Sequence, residues 1–102
     1  MFGDLLGNME EKQQEMKEKL SAIQVEAEAG DGAIQVTATA AREITNLSID
    51  KSVLDLEDTE QLEDLLLVAI NRALEKATVK EAEESQKLMR DMLPPGFGGL
   101  FG

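Results

Sequence analysis

The 102-residue chain carries 21 acidic and 10 basic residues, a formal charge of −11, with no Cys, His, Trp or Tyr. That composition excludes a disulfide framework, a thiol nucleophile, a zinc centre and imidazole base chemistry, and no Asp-rich loop has the ligand spacing of a Mg²⁺ or Ca²⁺ site. The acidic total repels nucleic-acid phosphate, so such a partner has to be met by a local basic stripe. The length allows one thin domain, expected over residues 1–102, with an interior of Leu, Ile, Val, Met and Ala. Long helical ends on so small a core favour a homodimer. No basic region followed by an apolar stretch marks a signal peptide, and the longest apolar run, Leu65–Ile70, is too short to cross a bilayer. A soluble cytoplasmic protein without membrane contact is therefore expected.

The opening MFGDLLGN is apolar and punctuated by Gly, and residues 1–7 are expected to fray. Asp4 or Asn8 can cap a helix that runs to about Ser21. On it Met9, Gln13, Met16, Leu20 and Ile23 recur at spacings of four and three, which makes one narrow seam. Such a seam either lies along its own domain or stays open to grip a partner. Ile23–Asp50 then reads as three short strands. Ile23, Val25, Ala27 and Ala29 alternate with polar residues; after Gly30-Asp31-Gly32 the alternation resumes at Ile34, Val36, Ala38 and Ala40, and Leu47 and Ile49 share a face of the third run. Period-two alternation around a Gly-rich turn specifies an antiparallel hairpin with one buried face.

In the connection Lys51–Glu57, Val53, Leu54 and Leu56 are placed to close over the sheet edge. Asp58-Thr59-Glu60-Gln61 predicts a helix start with a capping box between Asp58 and Gln61. The helix continues without Gly or Pro to Leu93. Its root, Leu62–Ala77, is densely apolar; from Thr78 to Lys87 only Val79 and Ala82 are apolar, which predicts an arm in solvent. Pro94-Pro95-Gly96 ends it, leaving 94–102 as a flexible tail. The architecture is therefore α+β: an N-terminal helix, a three-stranded antiparallel sheet and a long C-terminal helix.

No enzyme motif is present, since Gly30 and Gly32 join two strands and do not lead from a strand into a helix, as a phosphate-binding loop would. The paired carboxylates gather at a helix start, where capping explains them. No catalytic residue and no cofactor are expected. The informative pattern is basic: Arg72, Lys76, Lys80 and Lys87 follow at spacings of four, four and seven, with Arg90 close by, and Lys12 and Lys19 stand on the first helix. A stripe of this kind can neutralise DNA phosphates. It can equally be a solvated helix face, since Lys80/Glu84 and Glu83/Lys87 are at ordinary ion-pair spacings.

Several motifs follow one another in order: MFG at the start, Met9 and Met16 in a Gln/Glu/Lys-rich helix, the Gly-rich turn, and IQVT at Ile34–Thr37. They continue through Leu47-Ser48-Ile49-Asp50, LEDLLLVAINRA at Leu62–Ala73, and LPPGF at Leu93–Phe97. Together they carry a resemblance, along nearly the whole length of the chain, to the YbaB/EbfC family of bacterial nucleoid-associated proteins. That resemblance implies a homodimer in which the sheets meet, through Ile23, Val25, Ile34, Val36, Leu47 and Ile49, while the helices project as arms of a tweezer. It also implies sequence-tolerant binding of duplex DNA in the nucleoid, with the seven basic residues named above as contacts. Replication or recombination proteins are further partners it suggests. Relatives often place Asn-Gly between the second and third strands; here Thr39-Ala40 stand there, so that turn must be built differently. The alternative reading keeps the fold but uses the Met9/Met16/Leu20 seam, or the exposed tail methionines, to bind protein without direct DNA contact.

Overall fold

The computed structural model describes residues 2–92, with side chains described from residue 7 to residue 91. Helix α1 (Phe2–Ser21) leads into strands β1 (Gln24–Ala29), β2 (Ile34–Thr39) and β3 (Ile44–Ile49), and helix α2 (Thr59–Met92) closes the chain. The helix–strands–helix order agrees with the α+β expectation. The first helix begins earlier than expected, at Phe2, and passes through Gly7. The expected tail, residues 94–102, lies outside the described residues.

The strands form one antiparallel sheet in the order β1-β2-β3. Ala29 pairs with Ile34, and the chain crosses between them through Gly30, Asp31 and Gly32, whose φ angles are 65°, 55° and 88°. Three successive left-handed residues explain the glycines, since a Cβ strains this conformation. At Gly30 space is short as well, because an added Cβ would sit 3.1 Å from Leu65 Cδ1. Gly30→Ala is expected to destabilise the fold by about 1–2 kcal/mol. Gly7→Ala, whose new methyl would meet nothing within 4 Å in a helix, should be neutral or stabilising by up to about 1 kcal/mol. Paired thermal melts of the two variants check both.

The second turn supplies its left-handed residue without glycine. Arg42 takes φ 65°, its N–H donates to Thr39 O at 2.9 Å, and Thr39 N–H donates to Glu43 O at 2.9 Å. Thr39 Oγ1 also accepts from Ala41 N–H at 3.2 Å. This is the three-residue hairpin loop with a left-handed closing residue, in place of the two-residue Asn-Gly turn. The ladder beyond it is offset: Thr37 faces Asn46 but Ala38 faces Ile44, so Thr45 is an extra residue in β3. That bulge brings Ile44 opposite Ala38, an apolar position that strict alternation from Leu47 does not assign.

Helix α2 lies chiefly across β1 and β2, and Ile49 of β3 reaches the same core. Ala69, Ala73 and Ala77, each four residues apart, are fully buried against Val25, Ala27, Ala29, Ile34, Val36 and Ala38. Small side chains on both surfaces let helix and sheet approach closely, so the core is thin but tightly closed. Leu62, Leu65, Leu66 and Ile70 pack around it, as does Leu54 from the connection. Val53 and Leu56, expected to cover the sheet edge beside Leu54, stay exposed instead. At the helix start Asp58 Oδ1 accepts from Gln61 N–H at 3.2 Å. Asp58 N–H donates to Asp55 O at 3.1 Å, so the return bond of the expected capping box has no donor left to take.

The molecule measures 62 × 33 × 18 Å with a radius of gyration of 19.1 Å, against roughly 13 Å for a compact domain of this length. The excess length is the helices beyond the sheet.

Candidate nucleic-acid interface

The distal half of α2 is not a bare arm, because α1 runs back along it. Lys19 reaches Glu84, and Lys12, Glu15, Met16 and Lys19 gather with Leu88 and Asp91 around one shallow hollow. The α1 seam accounts for this placement. Leu20 is buried, Met16 is half-buried, and Gln13 and Met9 are exposed, so the seam is engaged near the sheet and opens toward the helix start. The projecting element is a pair of helices.

The basic stripe on α2 meets two different sets of neighbours. At the root, Arg72 Nη1 donates to Glu28 O at 2.8 Å and Lys76 Nζ donates to Glu26 O at 2.6 Å. Strand β1 is one of the two sheet edges, and these bonds occupy carbonyls that a further strand would otherwise use. Lys80 stands beside them, lining one shallow surface with Arg72, Lys76 and Val79, and its Nζ lies 3.3 Å from Glu83. Toward the tip, Lys87 Nζ lies 3.3 Å from Glu84 Oε1 and Lys19 Nζ lies 2.9 Å from Glu84 Oε2. The i,i+4 pairs Lys80/Glu84 and Glu83/Lys87 are thus replaced by i,i+3 pairs with the partners exchanged. Lys12 and Arg90 are exposed on the same two-helix arm.

Glu84 is the residue that sequence reasoning passed over. It is 7% exposed although it sits in a polar stretch. The Lys19 ammonium holds its carboxyl below the ordinary glutamate range, helped by Lys87 and opposed by burial. Oε2 lies 2.9 Å from Lys19 Nζ, although no donor is aimed at it with good hydrogen-bond geometry. One signal in the sequence marks Glu84: it stands seven residues after the buried Ala77 and four before Leu88, on the helix face that carries the alanine stripe. What buries a carboxylate at that position is the return of α1.

A lowered folded-state value means that Glu84 contributes stability above the unfolded glutamate range. That contribution disappears as pH falls through its own lower value. A carboxyl-resolved NMR titration is expected to find Glu84 titrating below 4.5, its ordinary value, and Glu84→Gln should flatten the acid limb of the melting curve. Asp50 is likewise lowered, by Ser52, whose hydroxyl and N–H both donate to Asp50 Oδ1 as the chain leaves β3.

The residues expected at a dimer interface separate into two groups. Val25, Ile34 and Val36 are buried beneath α2 within the protomer, so they hold that helix and offer a partner no surface. This corrects their assignment. The reason is that α2 covers β1 and β2, whose apolar face it takes up entirely. Ile23 and Ile49 are half-buried. Leu47 is 40% exposed and Ile44 41%, because β3 extends past the helix.

Among the described residues, no helix is long and apolar enough to cross a membrane, and no group of three or more acidic residues is arranged to hold a metal ion. The fold is a helix, a three-stranded antiparallel sheet and a second long helix, with a two-helix arm bearing cations. The chain belongs to the YbaB/EbfC DNA-binding family, whose model matches residues 2–92. It is 37% identical to a nucleoid-associated protein of Flavobacterium johnsoniae, covering 95% of this chain and 94% of that one. It is 42% identical to a nucleoid-associated protein of Chloroflexus aurantiacus, covering 92% and 86%. Among solved structures it resembles an uncharacterized protein from Helicobacter pylori with a TM-score of 0.68 and 27% identity, covering 91% of this chain and 94% of that one.

Proposed function

We propose that this protein binds duplex DNA with little sequence preference as part of nucleoid organisation, acting as a homodimer whose two-helix arms hold the phosphate backbone. Family membership across residues 2–92 carries the reading, since the net charge of −11 taken alone opposes it. The geometry supplies a means. Lys80, Lys87 and Arg90 on α2 and Lys12 and Lys19 on α1 lie along one projecting element, away from the acidic helix start at Asp58–Asp64. Arg72 and Lys76 are exposed at its root even while they donate to β1.

The homodimer is supported by β3, an edge strand without a covering helix. Ile44 and Leu47 stand exposed on it, and Ile49 beside them is half-buried. A second copy seated there would bury this row and remove the free edge. The competing use of the Met9/Met16/Leu20 seam for a protein partner loses surface, because Leu20 is buried and Met16 half-buried within the protomer.

The test is a titration of the purified protein with duplex DNA across a salt series. If a dimer holds about six phosphates, log K falls against log salt with a slope near −5. Absence of binding at ~50 mM salt, where phosphate contacts are strongest, would refute the proposal.

A further inference from the structure

Lys19 and Lys87 come from different helices and converge on the same carboxylate. The carboxylate side chain is 8% exposed, whereas the two lysine side chains are 58% and 62% exposed. The ammonium groups are therefore reachable from solvent while their shared counter-charge is held beneath them. Two lysines over one glutamate present a single net positive charge where two would otherwise stand. A cation that is already paired neutralises a phosphate less fully than a free one. Glu84 also bridges α1 to α2 beside the Leu20 and Met16 seam, so one side chain bears both on that contact and on the charge of the arm's outer surface.

We infer that Glu84 is an internal competitor for DNA phosphate: it occupies the Lys19–Lys87 pair, lowers the DNA affinity of the arm and fixes α1 against α2. The inference rests on the DNA-binding reading above. It gives Glu84 a role distinct from stability, because glutamine has the same size and can keep a neutral contact to either lysine. Binding of phosphate to the pair and binding of Glu84 to the pair oppose each other.

The experiment is the salt-series DNA titration repeated on full-length Glu84→Gln, with Glu75→Gln as a control. Glu75 is an exposed carboxylate of the same helix, so the control removes the same charge without releasing the pair. Circular dichroism melts establish that each variant is folded. Glu84→Gln is expected to bind more tightly, with the slope of log K against log salt steeper by about one unit per arm. Adding Lys19→Gln and Lys87→Gln to Glu84→Gln should abolish that gain. If the original chain binds DNA and Glu84→Gln binds no differently from Glu75→Gln, the inference is overturned and the DNA reading stands. If Glu84→Gln binds and the original chain does not, the DNA reading of the original chain is refuted and the inference, which rests on it, falls with it. Failure of both to bind removes the DNA reading and this inference together. Should Glu84→Gln not fold, the comparison passes to Glu84→Met, which retains length and apolar packing; the same outcomes decide it.

Discussion

Replacing Ala73 by Asp is expected to unfold the protein. Ala73 is fully buried at the centre of the Ala69/Ala73/Ala77 stripe, pressed against Val25, Ala27 and Val36 among others. No cation or donor is available inside that layer, so the carboxylate would be buried without a partner, at a cost of several kcal/mol even after relaxation. A domain of this size has about 5–15 kcal/mol of stability in total. This core, built largely from Ala and Val, has little area to offset such a loss. Ala73→Leu should be milder, about 1–3 kcal/mol, through overpacking of a helix seated closely on its sheet. Asn71→Asp adds the same charge to the same helix at an exposed position and should stay within about 0.5 kcal/mol. Urea unfolding followed by circular dichroism separates the three. A folded, cooperative Ala73→Asp protein would mean that α2 is not held by this stripe.

The strands and the buried root of α2 were legible because one physical rule decides them. Alternation at Val25, Ala27, Ala29, Ile34, Val36 and Ala38 puts six small or branched residues on one face, and the α2 root has to cover them. The same rule overreached at β3. Leu47 obeys the alternation but lies beyond the helix, and alternation says which face a residue points to, not whether anything covers that face. The bulge at Thr45 and the left-handed Arg42 were hidden for a related reason. Each is a backbone adjustment that follows from pairing two strands, and no residue type announces it when Gly and Asn are absent.

Charge was legible in position and not in partnership. The spacing of Arg72, Lys76, Lys80 and Lys87 puts them along one side of a helix, and the first three line one surface. It could not say that Arg72 and Lys76 would reach strand carbonyls 44 and 50 positions earlier in the chain, nor that Lys87 would share Glu84 with Lys19. Those contacts depend on where α1 and β1 lie relative to α2, which is tertiary information. Local ion-pair rules chose the wrong partners for Lys80 and Lys87 because i,i+3 and i,i+4 pairs differ by tenths of a kcal/mol. A competing lysine from another helix is enough to reverse the choice.

Joint neutralisation of Lys80 and Arg90 should have the largest effect on DNA binding for the least structural disturbance. Lys80 is about half exposed and its contact to Glu83 is a surface i,i+3 pair, of a kind worth little to stability. Arg90 is exposed near the described end of α2. Arg72, Lys76 and Lys87 are poorer choices: their removal also frees the β1 carbonyls or leaves Glu84 short of a partner, so lost binding would be confounded with altered structure. In a symmetric dimer, Lys80→Gln with Arg90→Gln removes four phosphate contacts, which takes the salt slope from near −5 to about −2 at ~0.9 per contact. At about 0.1 M salt each unit of slope is a factor of ten, so affinity should fall roughly a thousandfold or more while the melting curve barely moves. Lys17→Gln with Lys51→Gln removes the same charge from positions outside the proposed contacts, and its slope should stay close to the original. Equal losses from both pairs would mean that DNA responds only to the total charge of an acidic protein. A loss confined to Lys80 and Arg90 assigns binding to the arm, and the difference between the two slopes counts the phosphates it holds.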